Sequence, residues 1–211
     1  MRKLHAFPKT DIALNTKMYD EYIQTYRMHN GWQEGNQEYN FKALSRINEM
    51  TGVPFRGASL LDVGCGTGDL VDFLKDEELA HYVGIDIYRP SLNIAREKHP
   101  QVTFIEGDLL TEAFPEQFDY AICSGSLTIK LSIDNYTFLE AMIAKMWELT
   151  RVGIAFNVLT DDDPDPDTDI FFYNPERVLQ ICHDIAPDAV LGAEETPNVA
   201  QIHVYMYRDQ P

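Results

Sequence analysis

Three aspartates and three glycines carry the chemistry of this chain. In Leu60-Leu61-Asp62-Val63-Gly64-Cys65-Gly66-Thr67-Gly68-Asp69-Leu70, an apolar run enters a Gly-x-Gly-x-Gly turn and leaves it as a helix. Glycine allows a tight turn and lets the backbone approach a ligand without a Cβ in the way. The helix N-terminus behind the turn offers unpaired N–H groups. Farther on, Asp86 lies in Val83-Gly84-Ile85-Asp86-Ile87, and Asp108 follows Phe104-Ile105-Glu106-Gly107. An acid about 20 residues past such a turn is placed to accept hydrogen bonds from ribose hydroxyls.

Charge narrows the ligand. A related loop, G-x-G-x-x-G, holds the pyrophosphate in nicotinamide-binding folds. Here the third glycine arrives one residue early, and Asp62 stands two residues before the first. A carboxylate beside a pyrophosphate is repelled; beside an ammonium group it is attracted. The pattern points to an adenosine bearing a zwitterionic amino acid, not to a dinucleotide. Each signal alone is weak, because Gly-x-Gly is common and Asp86 or Asp108 can equally cap a helix or close a turn. Their order and structural context give them weight.

Hydrophobic patterning supplies that context. Segments 59–63, 82–87, 102–105, 120–123 and 153–159 are short and apolar on both faces, as parallel strands covered by helices should be. Helical patterns at 69–78, 90–98 and 135–150 separate them. The alternation predicts a doubly wound, Rossmann-like α/β sheet. It sets Asp62, Asp86 and Asp108 at the carboxyl ends of adjacent strands, where open α/β sheets bind ligands. Asn174-Pro175-Glu176 starts a further helix, with Asn as N-cap and Pro at the first helical position. Strands at 189–193 and 200–207 are separated only by a turn around Pro197-Asn198. A parallel crossover needs roughly a dozen residues, so this last pair should be antiparallel. The expectation is a mostly parallel seven-stranded sheet with one late antiparallel strand. Upstream, residues 11–51 read as helices broken near Gly31 and Gly35. The whole is expected to form one domain, with an N-terminal helical cap over about 1–57 and the core over 58–211.

At these residues the sequence resembles class I S-adenosylmethionine-dependent methyltransferases. LLDVGCGTGDL is similar to the family's first motif, VGIDI to its second and EGDLL to the motif after that. The resemblance runs over about residues 35–211. It implies that Asp62 and Gly64, Cys65, Gly66, Thr67 and Gly68 surround the methionine part of the cofactor. It implies that Asp86 binds the ribose hydroxyls, with Ile87 against adenine. Asp108 would take the adenine amino group, with Leu109 beside it, and Ser124 would lie near the reactive sulfonium. The implied cofactor is S-adenosyl-L-methionine and the product S-adenosyl-L-homocysteine. The Asn/Asp-Pro-Pro-aromatic motif of amine-methylating DNA enzymes is absent after the fourth strand, which reads Cys123-Ser124-Gly125-Ser126.

No catalytic residue is assigned, because methyl transfer from a sulfonium needs alignment more than a triad. The N-terminal aromatics Tyr22, Tyr26, Trp32 and Tyr39 read as packing of the cap or as faces for a cationic amine, and Gln37 could reach the cofactor. Asp161 to Asp169 form an acidic, proline-rich loop after the fifth strand, either a solvated lid or an attractor of cations. Among six histidines, His29 is the candidate base near the mouth; none shows metal-ligand spacing, and no metal is expected.

Composition limits the partners. The 211 residues carry 34 acids against 17 bases, a formal charge of −17. Such a surface repels a phosphate backbone, so nucleic acid is disfavoured and a small-molecule acceptor is expected. No run of about 18 apolar residues and no signal peptide are evident, so no membrane partner is expected. Three scattered cysteines fit reduced thiols in the cytoplasm. Methylation of a protein, or cofactor binding without transfer, would show the same motifs.

Overall fold

A computed structural model describes residues 34–160, 169–196 and 199–209, together with Asp11, Lys17 and Asp20. His5, Tyr22, Tyr26, His29, Trp32, the acidic loop over 161–168 and the Pro197-Asn198 turn lie outside the described residues.

In chain order the elements are α1 (Glu34–Ser45), α2 (Ile47–Thr51), β1 (Ser59–Val63), α3 (Asp69–Phe73), β2 (His81–Asp86), α4 (Arg89–Lys98), β3 (Thr103–Glu106) and β4 (Phe118–Cys123). They continue through α5 (Asn135–Glu148), β5 (Thr150–Leu159), α6 (Pro175–Ile185), β6 (Val190–Glu195) and β7 (Gln201–Tyr207). The seven strands form one sheet in the order β3-β2-β1-β4-β5-β7-β6. Neighbours from β3 to β5 run parallel, and β7 is antiparallel to both β5 and β6. This is the Rossmann-like sheet with a late antiparallel strand that the patterning predicts. The strand order reverses between the parallel neighbours β1 and β4, so the connections leave a crevice at their carboxyl ends.

Successive side chains of a strand face opposite sides of the sheet. Leu60, Tyr120, Ile122, Ala155 and Tyr205 meet Phe41, Leu44, Ile47, Phe55 and Leu70 on one face. Leu61, Ala121, Cys123, Ile154, Phe156 and Val204 meet Leu139, Ile143, Met146, Val178 and Cys182 on the other. Each fully buried Leu, Ile or Val contributes about 1.5–3 kcal/mol. The first helices are therefore packed onto the sheet: α1 and α2 supply Phe41, Leu44 and Ile47 to its core. The Tyr120 hydroxyl fastens α2 by donating to Val53 O at 2.6 Å, with Thr51 Oγ1 2.7 Å away.

Caps fall where the side chains allow them. Asn174 Oδ1 accepts from Arg177 N at 2.9 Å, and Asp134 accepts from Tyr136 N and Thr137 N. One helix is shorter than its pattern predicts. Residues 69–78 read as helical, yet α3 ends at Phe73, and the chain turns back to β2 through Glu78 at φ 52. Leu74, at φ −92 and ψ 9, already leaves the helical region and caps the helix with its N–H on Leu70 O. Among the described residues, no helix is long and apolar enough to cross a membrane.

Candidate active site

The turn between β1 and α3 uses its three glycines for three different reasons. All have positive φ: 73 at Gly64, 50 at Gly66 and 78 at Gly68. L side chains rarely adopt that region. At Gly64 an added Cβ would lie 1.8 Å from Ser126 Oγ. At Gly66 it would meet nothing within 4 Å and would project into open space. At Gly68 it would press on Phe104, His99 and Ala95, all at 3.1–3.3 Å. The turn is tied to β2 by Gly64 N and Cys65 N, which donate to Ile85 O at 2.8 and 3.2 Å.

Asp86 closes the same arrangement from the other side. Its Oδ2 accepts from Gly66 N at 2.9 Å, and its Oδ1 from Tyr88 N at 2.8 Å. Burial raises its carboxyl above the usual range, opposed by the backbone donors of Tyr88, Gly66 and Ile87. Asp62 is 3% exposed and accepts from the Tyr82 hydroxyl. Burial pushes its carboxyl up to about 7; the Tyr82 hydrogen bond lowers it, and the charges of Asp86 and Asp69 raise it. Asp108 closes its own turn, with Leu110 N donating to Oδ1 at 3.0 Å.

Two clefts at the carboxyl ends of the strands share Gly64, Asp86 and Ser126. One, of about 530 Å³, is walled by Gln37, Phe41, Asp62, Cys65, Gly66, Thr67, Tyr88, Ser91, Ser124 and Gly125 as well. The other, of about 550 Å³, adds Val63, Ile85, Ile87, Gly107, Asp108, Leu109, Ile129, Phe138 and Met142. The structure thus brings together Asp62, Gly64, Cys65, Gly66, Thr67, Asp86, Ile87, Asp108, Leu109 and Ser124. Gly68 lines neither cleft; it packs against α4 and β3 instead. Neither wall includes Lys, Arg or His among the described residues.

Sequence reasoning names Ser126 only as part of the loop after the fourth strand, and misses Tyr88, Ser91, Phe138 and Met142. Ser126 had a readable signal, being two residues past Ser124 in the same loop. Phe138 and Met142 look like ordinary apolar positions of an amphipathic helix, and only packing reveals that they face a cleft.

Comparison with known proteins gives the same picture. Residues 60–153 match the family model for a methyltransferase domain. A demethylmenaquinone methyltransferase of Bacillus licheniformis is 28% identical over 148 residues, 65% of this chain and 56% of that protein. A phosphoethanolamine N-methyltransferase of Plasmodium falciparum is 30% identical over 129 residues, 57% of this chain and 46% of that protein. The chain spans about half the length of these curated relatives. A magnesium protoporphyrin IX methyltransferase from Synechocystis, solved with S-adenosylhomocysteine, superposes with TM-score 0.68 at 15% identity, covering 92% of this chain and 99% of that one. A 1,6-didemethyltoxoflavin N1-methyltransferase from Burkholderia thailandensis gives TM-score 0.68 at 14% identity, covering 98% and 93%. Residues 60–153 thus match a methyltransferase domain, and the strand order with its acid-flanked glycine turn has the fold of these solved methyltransferases.

Proposed function

We propose that this protein is an S-adenosylmethionine-dependent methyltransferase acting on a small molecule. The observation that carries the reading is the union of two clefts at Gly64 and Asp86, with acids in both walls and no basic side chain in either among the described residues. Such walls favour a donor with positive charge over a pyrophosphate. The residues fit the cofactor at one further point: the Cβ direction of Gly66 opens into free space, so the backbone can be approached closely.

In this reading Asp62, Gly64, Cys65, Gly66 and Thr67 hold the methionine part, with Asp62 facing its ammonium group. Asp86 takes the ribose hydroxyls, Ile87 and Leu109 flank the adenine, and Asp108 takes the adenine amino group. Ser124 lies toward the sulfonium. Gly68 contributes by packing. S-adenosylmethionine supplies an electrophilic methyl group. The protein's own residues hold donor and acceptor in line and exclude water. A base is needed only if the acceptor must lose a proton.

The small-molecule reading is supported by the similar proteins, which are methyltransferases of a quinone, phosphoethanolamine, a porphyrin and a toxoflavin precursor. A net charge of −17 disfavours nucleic acid. Three free, buried thiols fit a reducing, cytoplasmic setting. Residues 1–211 are taken as one domain, with residues 1–57 as its cap. A protein substrate, or cofactor binding without transfer, would use the same cleft.

The test is incubation with methyl-labelled S-adenosylmethionine and a size-fractionated cell extract, alongside calorimetry with S-adenosylhomocysteine. Label in low-mass compounds supports the reading. Label in protein replaces the acceptor class. Absence of homocysteine-adduct binding would remove the cofactor assignment.

A further inference from the structure

We propose that Asn157, with Gln201, Asn40, Thr196 and His203 behind it, is a positioning device that fixes the wall after β4 against α1. The inference rests on the methyltransferase reading for what the cleft holds.

The chain of contacts starts at a backbone group that cannot turn. Gly125 N donates to Asn157 Oδ1 at 2.8 Å. Asn157 must therefore present its oxygen to the loop and its amide nitrogen inward, where Nδ2 donates to Gln201 Oε1 at 2.9 Å. That orients Gln201, whose Nε2 donates to Asn40 Oδ1 at 2.6 Å and Thr196 Oγ1 at 3.1 Å. Asn40 Oδ1 also lies 3.0 Å from His203 Nε2. His203 Nε2 lies 3.2 Å from Gln201 Nε2 as well, and His203 Nδ1 lies 3.3 Å from the Thr196 hydroxyl. One fixed N–H thus sets the Asn157 and Gln201 amides in turn and ties Asn40, Thr196 and His203 to them.

The members come from four places: α1, β5, β7 and the residue just after β6. All are buried: Asn157 is 0% exposed, His203 1%, Asn40 and Gln201 3%. Burying amides costs free energy unless each is satisfied, and apolar side chains would fill the same space without that demand. The polar chain therefore specifies a geometry. Its two ends explain which one. Gly125 sits between Ser124 and Ser126 in a cleft wall, at φ 73, and Ser126 packs on Gly64. Asn40 lies beside Phe41 and one turn from Gln37, which line the same cleft. No member except Gly125 touches the cleft, so the chain acts through the walls it joins.

The test uses the full-length protein and S-adenosylhomocysteine as probe, with calorimetry and amide hydrogen exchange. Gln201→Leu removes the middle of the chain at similar volume. It should weaken binding about tenfold, because the wall after β4 is no longer held in place for the cofactor. It should also speed exchange at residues 124–126 while β1 and β2 exchange as in wild type. A purely structural role would lower the melting temperature and leave the affinity of the folded protein alone. Affinity within about twofold of wild type therefore overturns the proposal. If Gln201→Leu does not fold, Thr196→Val removes a single hydroxyl and carries the same comparison. If the wild-type protein binds no S-adenosylhomocysteine, the methyltransferase reading falls instead. Exchange at residues 124–126 then decides the positioning role alone, faster exchange supporting it and unchanged exchange overturning it.

Discussion

Gly64 and Ser126 approach so closely that no side chain fits between them: a Cβ on Gly64 would lie 1.8 Å from Ser126 Oγ and 2.5 Å from Ser126 Cβ. This contact joins the turn after β1 to the loop after β4. It makes the strictness of the first glycine a matter of geometry, because both φ and space forbid a replacement.

Gly64→Ala is expected to cost about 3 kcal/mol, part from the left-handed backbone and part from the displaced loop. For a chain of this length that is a fall of roughly 6–12 °C in melting temperature. Adding Ser126→Gly should recover the steric part and leave about 1 kcal/mol of backbone strain. Thermal denaturation of the single and double variants checks this. A double variant no more stable than Gly64→Ala would show that the contact is not limiting.

Asp86 serves the fold and the proposed cofactor at once. Its carboxylate accepts from Gly66 N and Tyr88 N. Asp86→Ala should orphan both donors, costing about 2 kcal/mol, and should weaken S-adenosylhomocysteine by at least about 100-fold, because ribose contacts are lost as well. Asp86→Asn retains an acceptor and should fall between. Calorimetry on the folded variants gives the order, and equal affinity for all three proteins would sink the ribose assignment.

The pH dependence of stability should contain two opposing parts. Asp62 has its carboxyl raised to about 7, first by burial. Between about pH 4 and pH 7 the folded state holds more protons there than the unfolded state, so stability falls as pH rises. His203 is lowered to about 4 by burial, with Glu194 opposing. Between about pH 4 and pH 6.5 the unfolded state holds more protons, so stability rises with pH. Asp62→Asn should expose the rising limb, and His203→Gln the falling one. Chemical denaturation at pH 4.5, 5.5 and 6.5, values set inside the window bounded by the shifts above, reads the slopes. Parallel slopes in both variants would refute the assignment.

Tyr82 donates its hydroxyl to Asp62 and so favours the carboxylate. If Asp62 faces the cofactor's ammonium group, binding should tighten as pH rises through about 7 and release protons, visible as heats that depend on buffer. Tyr82→Phe should move that midpoint upward. An affinity that is flat across this range would place the ammonium elsewhere.

Much of the molecule is decided locally and is therefore readable in the sequence. Ser59 to Val63 form a strand at the predicted residues because five apolar-rich positions run straight into a glycine turn. The antiparallel β6–β7 pair follows from a connection too short for a crossover. Asp62, Asp86 and Asp108 converge because parallel strands put their carboxyl ends on one edge. The short α3 was less legible, since neither its end at Phe73 nor the left-handed Glu78 farther on has a sequence signature.

What only the tertiary structure decided are relations between residues far apart in the chain. Gly68 shares the motif with Gly64 and Gly66, yet faces Phe104, His99 and Ala95 rather than a cleft. Spacing alone cannot separate a glycine kept for ligand approach from one kept for packing. Likewise, Asn40 and His203 are 163 positions apart, and Gly125 and Asn157 are 32 apart. Sequence fixes periodicity, caps and turns because these depend on neighbours within a few residues. Which buried amide meets which depends on strand order and helix packing, and those arise only when the whole sheet has closed.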